Sequence, residues 1–424
     1  MSKRFLATAV LAVLPALSVS AQTEPALERV TFDEAVKRAL DKNPTVGQAV
    51  QAILRSEALL QQAKAVFHPT AYGFAGTTIL DDARGFDGNV TQPRTQTTFN
   101  ASVSYPFLAA ARWAGKNQAA DQLAISKISA EETRRQVAVT AAQSYFAVIV
   151  AQRQREIAYR NRDTARALAD YARARLDAGQ GSRLNNVRSV QEQATAEGLV
   201  PAAELLVRRA QEALGVAIFS DAPVDANGDP ELSPPSLASR MDGWLTQRPD
   251  VRRFAAQWEA ADRVVRDNWK SWVPNGTASF TPQYVTPAGF FEPAKTWRLQ
   301  FQLAIPLYDR TLITDKRVKI ADRDSARLGL DAVTLQARSE LRIAQESVTR
   351  IEQIVVQSRQ AAESAGEALR ITEVAYRAGA TSNIEVVQAQ QGARNAEVIQ
   401  AQAEDRLRQA RLDLLVALGQ FPTK

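Results

Sequence analysis

The chain has no cysteine, one histidine and two methionines among its 424 residues. Without cysteine there is no disulfide, no thiolate metal site and no acylated-cysteine lipid anchor, so the structure must rest on packing alone. The single histidine, His68, stands beside Pro69. A Ser-His-Asp triad would have to use it, and a zinc site would need further His or Cys ligands that the chain lacks. A P-loop is also missing. Gly179-Gln180-Gly181-Ser182 has no Lys before its Ser and no strand ahead of it, and reads as a turn between helices. Enzymatic chemistry and cofactors are therefore not expected. Asp81-Asp82 is the nearest thing to a carboxylate pair, and it opens a loop-like segment to Gln96 that also holds Gly85, Gly88 and Pro93.

Long apolar runs are confined to the start. There Lys3 and Arg4 precede an apolar stretch from Phe5 to Leu17 and then Val19-Ser20-Ala21, the form of a cleaved secretory signal over residues 1–21. No later stretch has the roughly 18 consecutive apolar residues of a membrane-spanning helix, so any spanning segment must be made of strands. The net charge of +6, from 52 basic and 46 acidic residues, is spread along the chain. With neither a basic run nor interleaved aromatics, no nucleic-acid partner is expected.

What is present is a chain written twice. Asn43-Pro44-Thr45-Val46 matches Arg248-Pro249-Asp250-Val251, and His68-Pro69 matches Val273-Pro274, at an offset of 205. The offset then becomes 200: Tyr105-Pro106-Phe107 matches Ile305-Pro306-Leu307, Ala178-Gly179 matches Ala378-Gly379, and Ser182 matches Ser382. Val187, Gln191, Ala210 and Leu214 recur at the same offset as Val387, Gln391, Ala410 and Leu414. The expected division is a signal over 1–21, a first repeat over 22–218, a linker over 219–240 and a second repeat over 241–424. Each repeat reads as helix, two strands, long helix, turn, helix.

Thr31-Phe32-Asp33-Glu34 has the Thr-x-x-Glu form of a capping box and predicts a helix running to about Val66, ended by His68-Pro69. Strands are expected over about 70–80 and 97–107. In the second, Phe99, Ala101, Val103, Tyr105 and Phe107 alternate with Thr98, Asn100, Ser102 and Ser104. The second repeat shows the same alternation in Trp297, Leu299, Phe301, Leu303, Ile305 and Leu307, after a weaker strand over about 276–284 that contains Pro282. The loops 81–96 and 285–296 are expected at the outer surface. Trp269 and Trp272 suit either an interfacial aromatic girdle or a helix core. The region from Asp221 to Pro235, with four prolines, reads as a connection.

The long helical stretches follow. Leu341, Val348, Val355, Ala362, Leu369 and Tyr376 recur every seven residues, with Ala344, Ile351, Ser358, Ala365 and Thr372 three positions after the first five. This is a coiled-coil seam rich in small residues. A helix over about 108–178 would span ~105 Å, while helices over 31–66 and 183–218 would each span ~54 Å, so two short helices end to end match one long one. Strands of about ten residues can cross an outer membrane, but four cannot close a barrel and open edges are not tolerated in lipid. Several chains must share one barrel, and periodicity leaves two, three and four open.

The repeat order, the opening TFDEAVKRALDKNPTV, and the segments YARARLDAGQGSRLNNV and AYRAGATSNIEVVQAQ together resemble the TolC-like outer-membrane efflux family over essentially the whole mature chain. The resemblance implies a mainly α fold with a β-barrel portion. Three chains would form a 12-stranded barrel, four strands each, continued by a periplasmic coiled-coil tunnel. The implied location is the outer membrane of a Gram-negative bacterium, in contact with outer-membrane lipid. The implied function is a passive exit channel for efflux or type I secretion, working with a periplasmic adaptor and an inner-membrane pump. By the same resemblance Glu385 and Gln388 hold the positions of the acidic rings that narrow the tunnel mouth, one acid kept and one replaced by an amide. Tyr376 matches a tyrosine of the closed-state network, while Thr381 stands where some members carry arginine. The turn tips at Gly179, Ser182, Arg183, Leu184, Asn185, Gly379, Thr381 and Ser382 are the expected adaptor contacts. Gly179 and Gly379 also serve as C-caps, and Ser182 and Ser382 as N-caps. A structural or adhesive envelope protein with the coiled coil as a spacer is the alternative, and a periplasmic adaptor is disfavoured because adaptors lack lipid-facing strand pairs.

Overall fold

Thr31 caps the first helix of the chain, its hydroxyl accepting from the Glu34 amide at 3.4 Å. That helix, α1, covers Phe32–Lys42, after a short strand β1 over Glu28–Val30. The computed structural model describes residues 27–230, 232, 243–290 and 293–422, so the expected signal lies outside the described residues, as does most of the linker from 233 on. The helix expected to run unbroken to Val66 is divided. Asn43 is extended, its side chain caps a new helix by accepting from the Thr45 amide, and α2 runs over Pro44–Ala65. The break follows from Pro44, which suits the first position of a helix and drives the residue before it out of the helical region.

Next come β2 over Thr70–Ile79, β3 over Arg84–Phe86, β4 over Asn89–Gln92 and β5 over Thr95–Ala109. The strands β3 and β4 form a hairpin inside what reads from sequence as a loop. Its two-residue turn, Asp87 at φ 50° and Gly88 at φ 79°, has the paired positive φ of the hairpin turn that Asp-Gly favours. The long helix α3 spans Ala110–Asp177 and α4 spans Arg183–Ala217.

The second half repeats the plan. A short strand β6 over Val224–Ala226 leads to α5 over Trp244–Gln247 and α6 over Pro249–Arg266, split at Arg248-Pro249 as the first half is split at Asn43-Pro44. A 3₁₀ turn over Asp267–Trp272, β7 over Asn275–Thr286, β8 over Lys295–Ala304, α7 over Arg310–Arg377 and α8 over Asn383–Ala417 complete the chain. The long helices α3 and α7 have 68 residues each, and α4 and α8 have 35 each. At 1.5 Å per residue the longer pair extends about 100 Å.

The helices pack as their lengths suggest. Along α3, α2 covers the first part, where the Ser56 and Ser126 hydroxyls meet at 2.8 Å, and α4 covers the rest. Along α7, α6 and α8 divide the length in the same way. Small residues allow the close approach: Ala337, Ala344, Ser358 and Ala362 are among the buried positions of α7, beside Leu341, Val348, Val355 and Tyr376.

The thickest core sits halfway along α3. Phe32 stacks on Phe146 with centroids 5.6 Å apart and meets Tyr145 edge-on, while the Tyr145 hydroxyl donates to the carbonyls of Asn227 and Gly228. The described part of the linker therefore does more than connect. Strand β6 is buried and pairs in parallel with β1, Val30 opposite Ala226, and the linker carboxylate Asp225 accepts from Gln152 and Gln211. The signal for this strand, Val224 and Ala226 flanking Asp225, is too short for periodicity to reveal.

The sheet lies at the end of the molecule where the long helices begin. Its order is β2-β5-β7-β8, antiparallel throughout, with β2 and β8 at the edges. Pro106 lacks an amide hydrogen, and the register of β5 against β7 shifts beside it, between Pro106 and Leu108. Pro282 has the same handicap, and the pairing of β7 with β5 is interrupted there between Phe280 and Gln283.

Candidate pore mouth at the helix-turn tips

The central strand β5 reverses the usual relation between polarity and burial. Phe99, Val103, Tyr105 and Phe107 of β5 are exposed, while the polar Asn100, Ser102 and Ser104 between them are half-buried. On the same side as these apolar residues, Trp297 and Phe301 of β8 are each 70 % exposed. A sheet whose central strand exposes its aromatic row and half-buries its polar one, with further aromatics exposed beside that row on β8, suits an apolar exterior.

At the far end of the long helices stand the two turns. Gly179 at φ 71° and Gly379 at φ 77° adopt the left-handed conformation that ends α3 and α7. The amide of Gln180 donates to the Arg175 carbonyl at 2.9 Å, and that of Ala380 to the Ala375 carbonyl at 2.8 Å, the bonds that satisfy the last carbonyls of a helix. Gly181 answers a different demand: a Cβ there would lie 2.7 Å from the Leu176 backbone nitrogen. Only glycine lets the chain double back so closely.

Ser182 caps α4 as expected, accepting from the Leu184 amide at 3.2 Å. Ser382 departs from expectation. It occupies the cap position of α8 without a side-chain bond to the backbone, and its hydroxyl donates to Glu385 at 3.1 Å. The Thr381 hydroxyl also donates to Glu385. The Glu385 carboxylate thus sits in the first turn of α8, held by two hydroxyls beside the positive end of the helix. Both Glu385 and Gln388 are exposed, one helical turn apart on one face.

Tyr376 is 5 % exposed and lies in a small apolar cluster with Leu168, Val386 and Val387. Its ring meets Tyr171 edge-on at 5.6 Å, and the Arg175 guanidinium lies 5.9 Å from the centre of each ring. Burial pushes the Tyr376 hydroxyl pKa above its ordinary value, although nearby Arg175 draws it down. The Tyr171 hydroxyl donates to the Arg377 carbonyl at 3.3 Å, tying α3 to the end of α7. A second tie joins the returning helices. The fully buried Asn383 donates through Nδ2 to the Asn185 carbonyl at 2.9 Å and to Ser189 Oγ at 2.8 Å. Two turns on, Glu192 accepts from Gln391 and forms an ion pair with Arg394 at 3.2 Å.

The two tips of one chain are therefore brought together through Asn185 and Asn383, whereas Arg183 and Leu184 point outward with Val187. Sequence reasoning did not single out Tyr171, Arg175, Ser189 or Asn383. Tyr171 and Arg175 carry a readable signal, an aromatic and a cation one turn apart on the same face just before Gly179. Asn383 carries none, since a polar residue after a cap serine reads as solvated. At the other end of α6, Trp269 is exposed and Trp272 half-buried, both in the 3₁₀ turn that leads into β7.

Comparison with known proteins supplies the context for this architecture. Residues 242–420 match the outer membrane efflux protein family. The outer-membrane setting expected from sequence stands on that match. Similar solved structures extend the likeness to the whole fold. The outer membrane protein VceC from Vibrio cholerae is 17 % identical with a TM-score of 0.77, the match covering 92 % of this chain and 96 % of that one. The CmeC outer membrane channel of Campylobacter jejuni is 15 % identical with a TM-score of 0.80, covering 99 % and 94 %. The open state of the MtrE outer membrane channel of Neisseria gonorrhoeae is 17 % identical with a TM-score of 0.77, covering 92 % and 88 %. No curated protein matches the sequence. The resemblance to TolC-like channels is thus one of fold along the whole chain and of family in its second half.

Proposed function

We propose that this protein is the passive outer-membrane exit channel of an efflux or type I secretion system. Three chains share one 12-stranded barrel, β8 of each pairing with β2 of the next, and their helices continue the barrel as a periplasmic tunnel. The observation that carries this reading is the sheet itself: four strands with two open edges and an exposed aromatic face cannot be stable alone in lipid, and closure with further copies removes both edges. The channel names of the similar structures support the same role.

The chain divides into a signal over 1–21, two copies of one unit over 22–218 and 241–424, and a joining segment between them. The matched helix lengths and the shared break before Pro44 and Pro249 support the duplication. At the inner end, Glu385 rings the mouth and gives it a preference for cations, Gln388 lines the same face, and Tyr376 with its partners holds the tips closed. The exposed residues Arg183 and Leu184 meet the periplasmic adaptor, with Gly179, Gly379, Thr381 and Ser382 shaping the tips. Energy for transport comes from an inner-membrane pump.

Because the chain has no cysteine, the seam can be tested without background. Cysteines placed in pairs along β2 and β8 are expected to yield a covalent trimer under oxidation, with outward positions of both strands cross-linking in a single register. A ladder limited to monomers at every pair tried would refute the shared barrel.

A further inference from the structure

The register of the sheet sorts its side chains into two faces, and two aromatics fall on the polar one. Tyr72 of β2 stands opposite Ser102 of β5, and Phe74 opposite Asn100. Residues directly opposite in an antiparallel pair share a face. Both rings therefore project on the side of Asn100 and Ser102, away from the outward row that holds Phe99 and Val103. They are 62 % and 57 % exposed, with centroids 6.5 Å apart.

Their surroundings on that face are mostly polar and uncharged, with one charged exception. The four spanning strands hold two charged residues, Lys295 and Arg298. Lys295 pairs with Tyr284, which lies opposite Phe99 on the outward face, whereas Arg298 pairs with Thr281 on the inner face. Arg298 lies on β8, at the other edge of the sheet from Tyr72. Within one chain three strand spacings of about 4.8 Å separate them, but in the proposed barrel β8 pairs with β2 of the next chain, so each Arg298 stands on the strand beside a neighbour's rings and its charge acts on a solute held there.

We infer that Tyr72 and Phe74 form an aromatic collar inside the barrel, near the end where it joins the tunnel, and that with Arg298 it is a weak binding station for aromatic organic anions. The inference rests on the proposed barrel, in which the polar face lines the lumen. Flat solutes stack on the rings, and three Arg298 charges favour anions over cations of the same shape.

The test is single-channel recording of the purified oligomer in planar bilayers, with solutes added at the barrel side. The probes are 2-naphthalenesulfonate, methanesulfonate with the same charge and no ring, and tetraphenylphosphonium with rings and the opposite charge. Naphthalenesulfonate is expected to block the wild type partially and reversibly, and methanesulfonate to have no effect. The double variant Tyr72→Ala/Phe74→Ala should raise the half-blocking concentration about tenfold, the scale set by two lost ring contacts. Arg298→Gln should raise it about threefold, and more at roughly 0.01 M salt than at roughly 0.1 M, where screening is stronger. Unchanged block in the double variant, or tighter block by the phosphonium than by the sulfonate, overturns the inference. Loss of the detergent-resistant oligomer in the double variant also overturns it, by showing that the rings pack the seam between chains. A conducting wild type that naphthalenesulfonate never blocks removes the collar alone, whereas a wild type that never conducts removes the channel reading with it.

Discussion

Arg248 has a side chain only 4 % exposed, and its guanidinium is held by three partners: Asp250 accepts at 2.6 Å, Glu340 at 2.7 Å and the Ala417 carbonyl at 3.5 Å. One side chain thus joins the start of α6 to α7 and to the end of α8. Removing it would leave Asp250 buried without its partner, so Arg248→Ala should cost ~3–5 kcal/mol, read as a shift of the urea unfolding midpoint in detergent. Burial raises the pKa of Asp250, but the hydrogen bonds and charge of Arg248 outweigh it and hold the carboxyl below its ordinary value. The sign follows from linkage: the contribution is complete above the ordinary aspartate pKa and is lost as pH falls through the lowered one. The stability gap between wild type and Asp250→Asn should therefore narrow in acid. At the tips, Asn383→Ala removes two hydrogen bonds, costing about 1 kcal/mol each. It is expected to raise the single-channel conductance, with a smaller shift of the unfolding midpoint than Arg248→Ala gives; an unchanged conductance would remove Asn383 from the closing contacts. None of these ties was legible in sequence. Arg248 stands at the repeat position of Asn43, a plain helix start, and its role depends on carboxylates 2 and 92 residues away.

At the scale of the elements, periodicity recovered what is long and regular. The heptad from Leu341 to Tyr376 names most of the buried seam of α7, and the expected helices over 108–178 and 183–218 differ from α3 and α4 by a residue or two. It failed where local chemistry acts within three or four residues: the Pro44 break, the Asp87-Gly88 hairpin and the β1–β6 pair. The alternation in β5 and β8 was legible because the apolar row of each repeats over at least four positions. In β2 it was not, since Tyr72 and Phe74 take the opposite face from the aromatics of β5. This assignment of faces predicts a difference between neighbours. Phe301→Arg, on the outward row, should cost about 2–4 kcal/mol of outer-membrane folding stability, the scale for a basic residue in the bilayer midplane. Gln300→Arg, one residue away on the inner face, should fold as the wild type does. A folding titration into lipid vesicles that finds the two variants equally impaired would contradict the face assignment.

The whole molecule shows how much one chain leaves unfinished. Both edges of its sheet are open, and beyond the buried seam α7 exposes Ile354, Val356, Ile371 and Val374 to solvent. Three copies arranged as proposed would cover the edges and place such positions against neighbouring helices. Oligomer number was not legible in the sequence because a heptad reports that helices meet, not how many chains supply them. The site at the tips was legible only through the duplication, which directed attention to the two glycine turns, and the resemblance then assigned Glu385 its place.

The claim that the molecule is a gated duct is tested most directly by the conductance of the purified oligomer in planar bilayers, wild type beside Glu385→Ala. A small cation-preferring conductance in the wild type, larger and less selective in the variant, is the predicted result. No conductance from either protein, both inserted as intact oligomers, would contradict the account.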